Sequence, residues 1–255
     1  MIFKIRLSVK QKNLNMIPAS YQYELSSAIY KIMASSDAEY STWLHDNGFQ
    51  NEKKKRFKFF CFSNLQIPKY EVKKDCLHIL SDSICFYISF LPERSTMTFV
   101  QGTFVNKQLT LGNRKTRTEF YIETIELAPF PAHISEGTFK TLSPLCISLR
   151  TAEGEIKYLS PEHEEAGQRI VSNLREKYRF YYGKEFEGDT SFEFKLLSIP
   201  KRKGIMIKVD TPQQSKVIGY LCQFYLKCDR ELMKIMMMSG VGEKGSSGFG
   251  FVTLR

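Results

Sequence analysis

The sequence predicts an α+β fold of two tandem ferredoxin-like units, each a βαββαβ run that forms an antiparallel sheet with helices packed on one face. Three observations predict it. Strand-type and helix-type hydrophobic periods alternate in the same order twice along the chain. The chain has 255 residues, enough for two small domains with a core each. Pro129 and Pro131 interrupt the pattern near its middle and place the boundary between domains 1–128 and 129–255.

In the first half, residues 2–9 alternate between apolar and polar side chains, as a half-buried strand does, with Arg6 facing away from the core. A helix opens at Pro18, and a shorter one runs from Asp37 as N-cap to Gly48. The first of these helices has its apolar positions at Leu25, Ile29, Ile32 and Met33. The elements that follow are strands at about 57–63, 76–80 and 83–90, a helix from Pro92 with Met97, Val100 and Phe104 in register, and a strand near 117–127.

The second half repeats this order of elements. We expect a strand at 143–150, a helix from Pro161 with Ile170, Leu174 and Tyr178 on one face, and strands at 192–199, 205–210 and 217–227. A last helix begins at Asp229 as N-cap and ends at Gly240, and a final strand begins at Phe249. The repetition lies in the topology, since the two halves share no sequence repeat.

Five glycines lie within residues 240–250. Their first three follow the G-x-G-x-x-G spacing of dinucleotide-binding loops, but here a helix precedes the loop and a strand follows it, which excludes that fold. Exposed backbone N–H groups in such a loop can bind a polyanion. The alternative is a glycine-rich turn that joins the last helix to the last strand.

The chain carries a formal net charge of +10 with 42% hydrophobic residues, which favours a folded protein that binds nucleic acid. The positions expected to contact the nucleic acid are Arg6, Lys54, Lys55, Arg56, Arg114, Lys115, Arg117, Lys201, Arg202, Lys203, Gly242, Lys244, Gly245 and Gly248. Each short basic run is also compatible with a solvated turn, because only runs that share one face make a binding surface.

Six cysteines and four histidines show no metal-ligand spacing, so we expect no metal and no cofactor. The cysteines are expected to be reduced and mostly buried. The sequence shows neither a signal peptide nor an apolar run long enough to cross a bilayer. These features predict a cytoplasmic protein without a membrane partner.

The segment Gly240-Val-Gly-Glu-Lys-Gly-Ser-Ser-Gly-Phe-Gly250, together with the tandem units and the basic surface, resembles the sixth CRISPR-associated family, endoribonucleases that cut repeat RNA. The aromatic stretch 57–65, which ends in Ser-Asn-Leu, and Leu142-Ser-Pro-Leu145 also look like family segments. The resemblance implies metal-independent cleavage of CRISPR precursor RNA that leaves a 2′,3′-cyclic phosphate and a 5′-hydroxyl. The implied partners are repeat RNA and a CRISPR effector complex, with the protein a monomer or homodimer.

By this resemblance the catalytic residues are His45, Tyr30 about four turns upstream, and a lysine shortly after the histidine, for which Lys53 is the nearest choice in the run 53–55. Histidine titrates near neutrality and suits proton transfer. Alone, His45 could equally be a solvated residue at a helix end, and Tyr30 a residue at the edge of the core. His78, His133 and His163 have weaker claims; His78 lies in a predicted strand and His163 in the first turn of a predicted helix, both ordinary structural positions.

Two alternatives remain open, a non-catalytic RNA-binding subunit of the same fold and a basic adaptor for acidic proteins. We expect the glycine loop to act on RNA binding rather than on chemistry, with Lys244 and the amides of residues 242–248 holding phosphates. On this view Gly242→Val weakens RNA binding while the melting temperature is nearly preserved.

Overall fold

The structure is a computed structural model that describes residues 1–10, 15–50, 55–113, 115–131 and 133–255. The helices are α1 (Gln22–Ala34), α2 (Ala38–Asp46), α3 (Glu93–Val105), α4 (Ala166–Tyr182) and α5 (Arg230–Ser239), with a 3₁₀ turn at Gly245–Ser247. The strands of the first half are β1 (Ile2–Val9), β2 (Met16–Pro18), β3 (Phe49–Gln50), β4 (Arg56–Phe57), β5 (Phe60–Phe62), β6 (Tyr70–Lys73), β7 (Cys76–Ile79), β8 (Ser83–Phe90), β9 (Gln108–Gly112) and β10 (Arg117–Leu127). Those of the second half are β11 (Glu136–Thr141), β12 (Ser148–Arg150), β13 (Ile156–Tyr158), β14 (Glu193–Leu196), β15 (Lys201–Ile207), β16 (Ser215–Leu221), β17 (Gln223–Lys227) and β18 (Val252–Leu254).

The first half forms a five-stranded antiparallel sheet in the order β5-β8-β1-β10-β9. Its first four strands have the ferredoxin-like order, and β9 extends the edge. Phe3, Ile5 and Leu7 of β1 belong to one buried core with residues of α1 and α3. Arg6, on the opposite face, is exposed as its position in the strand pattern predicts.

The second half forms a four-stranded antiparallel sheet in the order β14-β17-β11-β18. This is the same strand order as in the first sheet. Helices α4 and α5 supply much of its core, through Ile170 and Leu174 on α4 and through Leu232 and Ile235 on α5. The predicted α+β fold of tandem ferredoxin-like units is therefore confirmed.

Two strand predictions in the second half are wrong. The predicted strand 217–227 is two strands, β16 and β17, which belong to different sheets. The strand that opens the sheet is β11, Glu136–Thr141, whereas most of the predicted strand 143–150 is connecting chain that ends in the short strand β12. Leu145 and Cys146 are fully buried there, because the connection runs under the loop that follows α5. Their burial gives the connection the apolar pattern of a strand.

The apolar face predicted for α3 is wrong at two of its three positions, although the helix itself is present and Val100, the third, packs partly buried against the core. Met97 and Phe104 are exposed at 51% and 73%, while Phe99 and Gly102 face the core. A Cβ on Gly102 would overlap the backbone of Ile32 on α1. Since α1 and α3 cross so closely, the buried face of α3 must consist largely of small residues.

The predicted start of the first helix needs a smaller correction. Pro18 ends strand β2, and α1 begins four residues later at Gln22. By contrast, α2 begins after Asp37, whose side chain accepts a hydrogen bond from the Tyr40 amide at 2.9 Å. That N-cap is where the sequence predicts it.

The two halves pack directly against each other. Helix α5 lies on strands β5 and β8 of the first sheet, and the Asn64 amide donates to the Leu142 carbonyl at 2.8 Å. Cys61 of β5 is fully buried in the core of the second half. No helix in the described ranges combines the length and apolarity needed to cross a bilayer.

Candidate active site and nucleic-acid interface

An open cleft of about 1300 Å³ lies between the two halves. One wall is the segment 55–60 of the first half, and the other is formed by α4 and β12 of the second. The loop after α5 closes one end with residues that include Gly242 and Lys244. The cleft is therefore built by both ferredoxin-like folds.

The described residues that line this cleft are strongly basic. Three of them are acidic, namely Glu176, Glu185 and Glu243. Nine are basic, namely Lys55, Arg56, Lys58, Arg150, Arg169, Arg175, Lys177, Arg179 and Lys244. A groove with this excess of positive charge suits the backbone of a single-stranded nucleic acid.

Helix α4 contributes much of this charge, and sequence reasoning missed it. Arg169 pairs with Glu165 at 2.7 Å, Arg179 pairs with Glu185 at 3.2 Å, and Arg175 donates to the Thr190 carbonyl at 2.5 Å. No two of these arginines are adjacent, so a search for basic runs passes over them. Their recurrence within one predicted helix, rather than in one basic run, is the signal that could have found them.

Tyr30 and His45 lie together, as the family resemblance predicts. Their ring centroids are 5.0 Å apart, and the rings meet edge to face. Tyr30 projects from α1 and His45 from the last turn of α2. The two helices are also joined by the Ser41 hydroxyl, which donates to the Tyr30 carbonyl at 2.9 Å.

His45 is exposed, with 65% of its side chain accessible, and its Nδ1 lies 2.7 Å from a carboxylate oxygen of Asp46. An ionised carboxylate only accepts hydrogen bonds, so Nδ1 carries the proton. Nε2 of the neutral ring is then left with a free lone pair. This is the arrangement that a histidine base requires.

A lysine that the sequence analysis did not consider, Lys58, lies next to His45. Its Nζ donates to the His45 carbonyl at 2.6 Å and to the Leu44 carbonyl. Burial lowers the pKa of Lys58 to about 8, and the positive charge of Arg56 adds to this effect. Lys53, chosen from the sequence, and Lys54 lie outside the described residues, and Lys55 forms an ion pair with Glu176 on α4.

Tyr30 has its phenol largely buried, which raises the pKa well above its ordinary value. The neighbouring Tyr40 and Asp46 act in the same direction, and an interaction with the Ser246 side chain opposes it. The phenol therefore stays protonated at neutral pH. It is a hydrogen-bond donor there rather than a ready base.

The glycine loop packs against protein backbone, so three of the amides expected to hold phosphates, those of Glu243, Ser247 and Gly248, are already bonded within the protein. The amides of Glu243, Ser247 and Gly248 donate to the carbonyls of Cys146, Lys244 and Gly245 at 2.9 to 3.0 Å. Gly242 has φ +72°, and a Cβ there would overlap the Cys146 carbonyl oxygen. This geometry is evidence against the prediction that Gly242→Val nearly preserves the melting temperature.

Two further glycines of the loop are enclosed in the same way. A Cβ on Gly245 would lie 2.7 Å from the Ser239 carbonyl oxygen and 2.9 Å from that of Phe60. On Gly248 it would lie 2.9 Å from the side chain of Gln22. These residues allow the loop to lie between the two halves, and Lys244 is the exposed side chain of the loop that reaches the cleft.

The remaining basic candidates lie away from the cleft. Arg6 pairs with Glu123 at 3.3 Å, Lys115 with Asp210 at 3.2 Å and Arg117 with Glu119 at 3.9 Å. Lys201, Arg202 and Lys203 are exposed on β15, and none of these six lines the cleft. Arg114 lies outside the described residues.

All six cysteines are free, four of them buried and Cys76 and Cys85 partly exposed. The described residues contain no group of three or more His, Cys, Asp or Glu side chains placed to hold one metal ion.

The structure thus belongs to the class of proteins built from two tandem ferredoxin-like folds with a basic cleft between them. Within that class, the family model "CRISPR-associated protein Cas6, N-terminal" matches residues 16–126, and "CRISPR associated protein Cas6, C-terminal" matches residues 128–254. The chain belongs to the Cas6 family.

Similar proteins cover the whole chain. A curated relative from Methanocaldococcus jannaschii, CRISPR-associated endoribonuclease Cas6 1, is 30% identical over 98% of this chain and 91% of its own length. CRISPR-associated endoribonuclease Cas6 from Pyrococcus furiosus is 28% identical over 100% of this chain and 90% of its own. A solved structure, reported as the characterization of a Cas6-related gene from Pyrococcus furiosus, has a TM-score of 0.83 at 25% identity and covers 100% of this chain and 98% of that one.

Proposed function

We propose that this protein is a metal-independent endoribonuclease that cleaves CRISPR precursor RNA at its repeats. The observation that carries the proposal is the cluster of Tyr30, His45 and Lys58 beside a basic cleft. Two curated relatives that match nearly the whole chain are named CRISPR-associated endoribonucleases, which supports the same activity.

In the proposed reaction the ribose 2′-hydroxyl next to the scissile phosphate attacks the phosphorus. Nε2 of His45 accepts the hydroxyl proton, and the 2′-oxygen forms the new P–O bond. The bond to the 5′-oxygen breaks, and that oxygen takes up a proton from solvent water as it leaves, while His45 later returns its proton to solvent. The products are a 2′,3′-cyclic phosphate and a 5′-hydroxyl.

The two neighbours of His45 stabilise charge in this scheme. The ammonium of Lys58 faces the negative charge that builds up on the phosphorane, at the edge of the cleft. The neutral phenol of Tyr30 donates a hydrogen bond to a phosphate oxygen or to the leaving oxygen. Asp46 holds the imidazole of His45 in the tautomer that can accept a proton.

The RNA strand would run through the cleft towards this cluster. Arg169 and Arg179 on α4, which line the cleft, would contact phosphates, and Lys244 would do so at the end formed by the glycine loop. Arg56 links the two regions, because it lines the cleft and also donates to the Asp46 carbonyl beside His45.

One experiment tests the proposal. The purified protein is incubated with a CRISPR repeat RNA and a scrambled RNA in EDTA, and the products are resolved on a gel and end-mapped. We expect cleavage of the repeat RNA alone, with a cyclic phosphate end. Binding without cleavage would make the protein a non-catalytic RNA-binding subunit, and cleavage that requires added Mg²⁺ would refute the mechanism.

A further inference from the structure

The 3₁₀ turn of the glycine loop, Gly245–Ser247, lies directly on helix α1. The Ser26 hydroxyl on α1 donates to the Ser246 carbonyl oxygen at 2.7 Å. Ser26 and Tyr30 are four residues apart in this helix and so share one face. The turn is therefore attached to the face of α1 that carries the phenol of Tyr30.

The phenol of Tyr30 is held from several directions. Its ring meets His45 at 5.0 Å and Phe60 at 5.6 Å between centroids, both edge to face. Its oxygen interacts with the side chain of Ser246, a contact that lowers the pKa of Tyr30 against the larger effect of burial. A residue more than two hundred positions away in the sequence thus completes the surroundings of a candidate catalytic group.

A buried lysine holds the loop in this position. Lys177 on α4 is 4% exposed, and its Nζ donates to the carbonyls of Gly240 at 2.6 Å, Gly242 at 2.9 Å and Ser239 at 3.4 Å. All three N–H groups of the ammonium have an acceptor. The loop is consequently fixed by α4 at its start and by α1 at its 3₁₀ turn.

We propose that Ser246 is a positioning residue for Tyr30, an inference that rests on the proposed RNA cleavage. Ser246 lines the cleft whereas Tyr30 does not, so the serine lies between the phenol and the RNA path. Its hydroxyl directs the phenol oxygen towards the scissile phosphate. The glycine loop thereby takes part in the chemistry, in addition to closing one end of the cleft.

The test compares Ser246→Ala with Ser247→Ala, a matched variant at the next position of the same turn. Both serines are partly exposed, so each change removes one hydroxyl without opening a core. With repeat RNA at saturation, Ser246→Ala should lower the single-turnover rate about threefold to tenfold, the worth of one net hydrogen bond. Ser247→Ala should not change it, and neither variant should alter the dissociation constant for RNA.

A double-mutant cycle with Tyr30→Phe separates positioning from a general loosening of the loop. Without the phenol oxygen, Ser246→Ala should cause no further loss of rate. If the two losses multiply instead, Ser246 does not act through Tyr30 and the inference is wrong. If the unaltered protein cuts repeat RNA and the two serine variants cut it equally well, the inference alone fails. If the unaltered protein does not cut repeat RNA, the proposed function itself is wrong.

Discussion

Nζ of Lys58 lies 2.6 Å from the carbonyl oxygen of His45 and also donates to the carbonyl of Leu44. One ammonium group therefore caps the end of α2, the helix whose last turn carries His45. Cations are favoured at this end of a helix because the last carbonyls carry partial negative charge. The contact couples the position of His45 to the charge next to it.

The first prediction concerns His45 itself. His45→Ala should lower the single-turnover cleavage rate by about 10²–10⁴, the usual contribution of one positioned acid or base. Because His45 is exposed and lies outside the cleft lining, RNA binding should be nearly unchanged. A filter-binding assay run beside the cleavage assay checks both, and a variant that cuts normally would move the chemistry to another residue.

The second prediction distinguishes the lysines. Lys58→Ala should lower the cleavage rate by about 10²–10³, as the loss of one transition-state contact does. Lys55→Ala is the matched control, because Lys55 also lines the cleft but pairs with Glu176 across it, and it should affect binding more than rate. If Lys53→Ala proves to be the damaging change, the choice made from the sequence is right and Lys58 only supports α2.

The third prediction is a pH dependence. The pKa of Lys58 is lowered to about 8, so the ammonium is present below that pH and is lost as the pH rises through it. The cleavage rate should therefore fall above about pH 8. Lys58→Arg keeps its charge throughout the range and should not show this fall. A rate profile from pH 6 to 10, with circular dichroism at each pH, would count against Lys58 if both proteins lose activity in parallel.

The fourth prediction locates the RNA track by salt dependence. Neutralising Arg169 and Arg179 together to glutamine should reduce the log–log slope of binding against salt by about 1.4, at roughly 0.7 per phosphate contact on a single strand. Lys115 and Arg117, neutralised in the same way, form the charge-matched control because they lie away from the cleft. Equal slopes for the two double variants would show that α4 does not contact the strand.

The fifth prediction treats the glycine loop as a structural element. Gly242 and Gly154 both have positive φ, but only at Gly242 would a Cβ meet other atoms, those of Cys146 and Leu145. Gly154→Ala should cost about 1 kcal/mol of unfolding free energy through backbone strain alone. Gly242→Ala should cost clearly more, because its clash adds to the strain. Urea unfolding curves measure both, and equal losses would mean that the loop yields at Gly242.

Local signals account for the parts of the fold that the sequence predicted. Asp37 and Asp229 are N-caps because a short acidic side chain can accept from the first free amides of a helix, whatever surrounds it. The buried face of α3 depends instead on how closely α1 crosses it at Gly102. The hydrophobic periodicity of the α3 sequence does not reveal this tertiary contact. Apolar side chains at Met97 and Phe104 therefore gave the wrong face.

The candidate site likewise contains residues that the sequence predicted and one that it did not. Tyr30 and His45 could be named because a resemblance supplied them, and their 5.0 Å contact agrees with it. Lys58 was missed because it is a single lysine between aromatic residues, whereas the run 53–55 offered three adjacent lysines from which the catalytic one was chosen. We propose, as the sequence suggested, that the chain divides into domains 1–128 and 129–255.

The bond between Ser26 and Ser246 joins residues 220 positions apart. During synthesis the helix that carries Tyr30 emerges long before the loop that rests on it. Contacts of such sequence separation form late, after the chain between them has been ordered. The proposed nuclease would thus gain its full catalytic competence only after the glycine loop has been synthesised and has docked on α1, so that chains without this loop would cut RNA poorly.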